Sequence, residues 1–196
     1  MQAHERREPL DLEAREDVRL LTLIARGDQP AFAALYRRRS GLIYSLLARM
    51  LAHEMETQDV LPDIFVQIWR RAAQFDSARS SPMAWIIMIA RGLAVDRLRA
   101  RSRRSVSHAA YERELVSLEM EVNGFRPMER DDLADACASA LNHLPEEQGR
   151  ALQLAFFRGW THEEIASAAG EPLGTVKARI RRGLLALRNI LKDYHG

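Results

Sequence analysis

THEEIASAAGEPLGTVKARIRRGLLAL, residues Thr161 to Leu187, decides how this chain is read. Thr161-His162-Glu163-Glu164 has the spacing of a capping box, in which a hydroxyl and a carboxylate three residues on each accept the other's backbone N–H. A short helix follows, with Ile165, Ala166 and Ala169 facing inward, and stops at Gly170. A longer helix starts near Pro172 and runs to about Asp193. At about 100° per residue, Val176, Ile180, Leu184, Leu187 and Leu191 form one apolar stripe on it. Ala178 and Arg182 point directly away, Thr175 and Arg181 lie beside them, and Lys177 and Arg179 flank the stripe. Two helices joined this way form a helix-turn-helix, whose second helix offers its N-terminal half to the DNA major groove. From Val176 to Lys192 there are six bases and no acid. An arginine fork pairs with two guanine acceptors, while other bases hold phosphates and carry no sequence information. The competing reading is a helical hairpin with a solvated basic face.

Working outward, two more helices precede this pair. One spans about Asp132 to Leu144, ended by Pro145, and one spans Glu146 to about Phe157, ended by Gly159. Residues 132–193 therefore read as a four-helix domain. Residues 105–131 read as a linker, with Asn123-Gly124, Pro127 and only a weak apolar pattern at Leu115 and Leu118. Residues 20–104 read as a second helical domain, preceded by an extension over residues 1–19. Within it, Leu20 to Ile24 is a short apolar segment ending at Gly27-Asp28. Pro30 then suits a helix start, and helical spacing of Phe32, Leu35, Tyr36, Ile43, Leu46, Leu47 and Met50 carries it to about Leu51. A further helix runs from about Thr57 to Phe75, with Val60, Leu61, Ile64, Phe65, Ile68, Ala72 and Phe75 on one stripe. Asp59, Asp63, Val66 and Arg70 point the other way. Pro62 lies inside this pattern and predicts a kink or a delayed start, because proline lacks the N–H a helix needs. Ser81-Pro82 pairs a good N-cap with a good first-turn residue. The helix it opens runs to about Arg104, apolar nearly all round at first and almost wholly basic at its end.

Composition agrees with two small all-α domains. The chain has 196 residues, 47% hydrophobic and 29% charged, which excludes a wholly disordered chain. Strand alternation is nearly absent. Cys137 stands alone, so an intramolecular disulfide and a cysteine-rich zinc module are excluded, and a reducing compartment fits. The opening MQAHERREPLDLEARED has no apolar core and is not expected to be a signal peptide. The longest apolar run, Met83 to Ala90, falls far short of the roughly 20 residues of a membrane span. The expected location is the cytoplasm. The net charge of +2 hides an asymmetry. Five arginines lie between Arg97 and Arg104, six bases lie between Val176 and Lys192, and from Ser105 to Glu147 ten acids face three bases. Basic blocks on helices suit phosphate contacts, since each neutralised phosphate releases counterions.

Two segments bear a family likeness. ETQDVLPDIFVQIWRRAAQFDSARSSPMAWIIMIARGLAVDRLRARSRR, Glu56 to Arg104, resembles the promoter-melting region of bacterial sigma factors of the extracytoplasmic-function (ECF) type. LPEEQGRALQLAFFRGWTHEEIASAAGEPLGTVKARIRRGLLALR, Leu144 to Arg188, is similar to the promoter-binding domain of the same family. With AFAALYRRRSGLIYSLLARML added, the resemblance covers most of residues 20 to 192. It implies a specificity subunit of RNA polymerase, with residues 20–104 as region 2 and residues 132–193 as region 4. The outward face of the Thr57–Phe75 helix, Asp59, Asp63 and Val66, is then expected to dock on the polymerase clamp. Pro62 belongs to that face but stands where relatives usually carry a docking glutamine. Asp76, Arg79, Ser80 and Ser81 are expected to line a pocket for an unstacked base of the −10 element. Trp85 either supports that pocket or packs in the core. Arg91, Arg97, Arg99 and Arg101 are expected to follow the phosphates of one strand. Gly92 replaces a frequent asparagine. Thr175, Lys177, Ala178, Arg179, Arg181 and Arg182 are expected at the −35 duplex. Many relatives have serine at Ala178, whose methyl suits a thymine methyl instead. An anti-sigma factor is the further expected partner, holding the free protein inactive.

Two rival classes find little in the residues. His162-Glu163 is followed by Ala166, and His53-Glu54 by Thr57, so neither makes a zinc-peptidase pair. Cys137 and His143 lack metal-ligand spacing, and no phosphate-binding glycine loop occurs. No catalytic residue, metal, cofactor or small-molecule substrate is expected, and the chain does not read as an enzyme. The other rival is a stand-alone helix-turn-helix regulator, which shares the C-terminal features. It differs in needing a sensor or dimerisation domain in the N-terminal half.

Overall fold

Each turn between helices is written in a few local residues. Gly27 takes a positive φ of 84°, and Asp28 caps the next helix by accepting the Ala31 N–H at 2.8 Å. The computed structural model describes residues 7–101 and 143–194, with side chains over 12–101 and 143–190. Among these are α1 (Arg7–Ile24), α2 (Gln29–Leu51), α3 (Glu54–Arg71), a 3-10 turn (Ala72–Gln74), α4 (Pro82–Arg101), α5 (Glu146–Phe156), α6 (His162–Ala169) and α7 (Leu173–Tyr194). The expected linker and the helix from Asp132, with Cys137, Arg103 and Arg104, lie outside the described residues. The chain divides into two compact units, Met1–Arg97 and Leu98–Gly196. Among the described residues, no helix is long and apolar enough to cross a membrane.

In the first unit α2 packs between α1 and α3. Its floor is Leu35, Ile43, Leu47, Met50 and Leu51 from α2 against Ile64, Phe65 and Ile68 from α3, all buried. Aromatic rings join the two helices: Phe32 meets Trp69 at 5.3 Å and Tyr36 meets Phe65 at 4.5 Å between centroids. The boundary expected at residue 20 falls inside α1. The helix continues back to Arg7, and Asp17 and Glu13, upstream of that boundary, have partners on α2. Asp17 is only 1% exposed, and it accepts from Arg39 Nε at 2.8 Å and Arg38 Nε at 3.2 Å. Glu13 accepts from Arg39 Nη2 at 3.0 Å. Burial pulls the Arg39 pKa down, but the Asp17 and Glu13 hydrogen bonds and charges outweigh it and hold it above the ordinary arginine value.

Pro62 does not delay α3, which begins at Glu54, eight residues upstream. The stripe of Val60, Ile64, Phe65 and Ile68 is buried and holds the helix together, while Pro62 stands on the exposed side. The Gln58 carbonyl loses its usual N–H donor there, but Gln58 is itself exposed, so water can supply one.

In the second unit α5 and α6 both pack on α7. Leu144, Ala151, Leu152, Leu154, Ile165, Ala166, Val176 and Ile180 form one buried cluster. Leu184, expected on the inward stripe, is 56% exposed. Gly183 faces inward in its place. A Cβ there would stand 2.7 Å from Leu152 Cδ1, so a side chain at that position requires Leu152 to shift. The inward line of α7 is thus Val176, Ile180 and Gly183, with Leu187 and Ile190 partly covered beyond it.

Candidate nucleic-acid interface

The capping box forms in full. Thr161 Oγ1 accepts from the Glu164 N–H at 3.1 Å, and Glu164 Oε2 accepts from the Thr161 N–H at 2.6 Å. At the far end of α6, Gly170 takes φ 66°, and the Glu171 N–H donates to the Ala166 carbonyl at 3.0 Å. These local bonds fix the turn into α7. Val176 and Ile180 then anchor α7 in the core. Lys177, Ala178, Arg181, Arg182 and Arg188 are left exposed, with Thr175 half-buried at the start of the same helix.

Arg179 behaves differently from the other expected −35 residues. Its side chain is 16% exposed. Nη1 donates to Glu171 Oε2 at 2.7 Å and Nη2 to Glu171 Oε1 at 3.2 Å. Glu147 Oε2 lies 2.8 Å from Nη2. Sequence reading missed both acids. Glu171 is eight residues from Arg179 and Glu147 lies on another helix, and no periodicity links either to an arginine.

The outer face of α3 is as the helical wheel has it: Asp59, Pro62, Asp63 and Val66 are all exposed, Val66 by 42%. Met55, on the same helix, and Tyr36 of α2 are also exposed.

The loop after α3 is a built turn. The Asp76 carbonyl accepts from the Arg79 and Ser80 N–H groups at 3.1 and 3.2 Å, and Asp76 Oδ1 accepts from the Ala78 N–H at 2.9 Å. Ser81 Oγ accepts from the Ala84 N–H at 3.2 Å and caps α4. Asp76, Arg79 and Ser81 are exposed and Ser80 is half-buried. Trp85 is half-buried rather than sealed in the core, and its ring meets Phe75 edge-on at 5.6 Å.

The arginines of α4 do not share one face: at about 100° per residue, Arg97 and Arg101 lie about 40° apart, Arg99 lies nearly opposite both, and Arg91 stands about 80° from Arg99 and from Arg101. Arg97 reaches back to α3, with Nε 3.9 Å from Glu56 and Nη2 4.0 Å from Asp59. An expected DNA contact thus sits beside an expected polymerase contact. Among the described residues, no cluster of three or more His, Cys, Asp or Glu is placed to hold a metal ion.

Residues 35–104 match the family described as Sigma-70 region 2, and residues 140–189 match Sigma-70, region 4. The chain is 32% identical over 172 residues to the ECF RNA polymerase sigma factor SigK of Mycobacterium ulcerans (strain Agy99), covering 88% of this chain and 91% of that protein. It is 33% identical over 177 residues to SigK of Mycobacterium sp. (strain KMS), covering 88% and 89%. Among solved structures, CnrH in complex with the cytosolic domain of CnrY is 26% identical and covers 91% of this chain and 98% of that chain, with a TM-score of 0.41. The region 2 match occupies the half of the chain where a stand-alone regulator would carry a sensor, so that rival is set aside. Sigma factors are not enzymes, which also removes the catalytic rival. Two sigma regions stand in chain order, the relatives align along about nine-tenths of their length, and the exposed basic helix falls within the second region; the chain belongs to the ECF RNA polymerase sigma factors.

Proposed function

We propose that the chain docks on the clamp of core RNA polymerase through Asp59, Pro62, Asp63 and Val66 of α3, and directs the enzyme to promoters in the cytoplasm. Residues 20–104 serve as the polymerase-binding and −10 unit, residues 132–193 as the −35 unit, and residues 105–131 as the span between them. The Asp76–Ser81 turn, with Trp85 beneath it, takes up an unstacked base of the −10 element. Its backbone amides are already tied to Asp76, so the loop needs little ordering when the base arrives. Arg91, Arg97, Arg99 and Arg101 guide strand phosphates past α4, with Arg97 also meeting the acids of α3. In the second unit Thr175, Lys177, Ala178, Arg181 and Arg182 meet the −35 duplex.

The observation that carries this reading is the outer face of α7. It presents Lys177, Arg181, Arg182 and Arg188 to solvent, with no acid between Val176 and Lys192. An anti-sigma factor is the proposed inhibitor, covering exposed apolar side chains such as Val66 of α3 and Leu184 and Leu185 of α7. The deciding experiment is transcription in vitro with purified core enzyme and genomic fragments, inhibitor absent, followed by mapping of start sites. Defined starts that depend on the added protein are expected. Failure to initiate at any fragment overturns the reading.

A further inference from the structure

Arg179 lies on the recognition helix, yet its guanidinium is turned away from the exposed face. From its place in the second turn of α7 it meets two acids: Glu171 from the turn between α6 and α7, and Glu147 from the first turn of α5. The pair with Glu171 is bidentate, through Nη1 at 2.7 Å and Nη2 at 3.2 Å. Two carboxylates more than neutralise the single cation. A fork used in this way is not available for a bidentate contact to guanine, and a side chain 16% exposed has little reach toward a groove.

We infer that Arg179 is a positioning residue: it clasps the helix-turn-helix turn and α5 to α7, and so sets the angle at which Lys177, Ala178, Arg181 and Arg182 meet the −35 duplex. The inference rests on the proposed −35 role of α7 and refines it, removing Arg179 from the residues that touch DNA. The physical reason is geometric. Gly170 gives the turn its left-handed backbone but no side chain to brace it. Glu171 is the next residue, and through Arg179 it ties the turn directly to the second turn of α7, close along the helix to Lys177 and Ala178.

The test uses holoenzyme and a duplex recovered by the wild-type holoenzyme from a pool randomised over the −35 element, with affinity measured across a salt series. Arg179→Ala is expected to weaken binding about tenfold with the slope of log K against log salt unchanged, whereas Lys177→Ala, a phosphate-type contact, is expected to lower that slope by about one. Glu171→Gln keeps the arginine and the fold's local backbone, so it serves where Arg179→Ala does not fold. It is expected to weaken binding to a similar degree. The exchange Arg179→Glu with Glu171→Arg restores an ion pair of opposite sense and is expected to recover affinity. A lowered salt slope in Arg179→Ala, tighter binding in Glu171→Gln, or no recovery in the exchange overturns the inference, because each means that Arg179 itself contacts DNA. Unchanged binding in Arg179→Ala likewise overturns the inference; if Lys177→Ala and Arg182→Ala leave binding unchanged as well, α7 does not face the duplex, and the −35 reading falls along with it.

Discussion

Replacing Gly183 by alanine tests how α7 is seated. The added methyl would stand 2.7 Å from Leu152 Cδ1, 3.3 Å from Leu152 Cγ and 3.4 Å from Gln148 Cβ. Leu152 is buried in the cluster with Leu154, Ile165 and Val176, so it has little freedom to withdraw. Overpacking of this kind costs about 1–3 kcal/mol, while alanine's better helix propensity returns about 1 kcal/mol. The expected net effect is a loss of about 1 kcal/mol. In a Leu152→Ala background the clash disappears, and Gly183→Ala should then stabilise by about 1 kcal/mol. The coupling between the two sites is therefore about 2 kcal/mol. Gly41 is the control. It lies inside α2, and a methyl added there would meet nothing within 4 Å, so Gly41→Ala should stabilise α2 by about 0.5–1 kcal/mol. Amide hydrogen exchange resolved by peptide, on the full chain, is the suitable assay, because a two-unit protein does not report one global unfolding energy. Peptides over α5 and α7 should lose protection in Gly183→Ala and regain it relative to Leu152→Ala alone in the double variant. Unchanged or greater protection in the single variant would refute the reasoning, since Leu152 would then move aside freely.

Four further outcomes follow from particular contacts. Asp17→Ala leaves Arg39 largely covered without its main partner and should cost about 3 kcal/mol, read as lost exchange protection in α1 and α2. Pro62→Gln returns an N–H donor to the Gln58 carbonyl and should stabilise α3 by about 1–3 kcal/mol, again by exchange. Arg181→Ala and Arg182→Ala should each weaken promoter binding, by about 1–3 kcal/mol where a bidentate base contact is lost; equal affinity at matched salt counts against the exposed face of α7. Arg99→Ala and Arg101→Ala should slow strand opening more than duplex docking, and identical permanganate footprints would remove both from the melting step.

Much of this protein is legible without coordinates because the signals are local. The Thr161–Glu164 capping box, the Ser81 cap and the Gly170 stop each involve residues within a few positions of one another, and all three form. The apolar stripe of α3 places Asp59, Asp63 and Val66 outward by helical period alone, and they are exposed. Family likeness added the roles, since no periodicity assigns a helix face to polymerase or to DNA.

What needed the folded chain involves residues brought together across sequence distance. Asp17 reads as part of a charged leader, yet Arg38 and Arg39, more than twenty residues on, make its burial tolerable. A hydropathy pattern counts Leu184 as core and Gly183 as a gap, but in the folded chain Gly183 faces Leu152 of α5 and Leu184 is exposed. Charge counting treats every arginine of α7 alike, whereas Glu147 and Glu171 withdraw Arg179 from the exposed set. Helix type, caps and outward faces depend on neighbours along the chain, so composition and spacing encode them. Which charges are spent inside the protein, and which remain for a partner, depends on distances through space that are settled only when the helices pack.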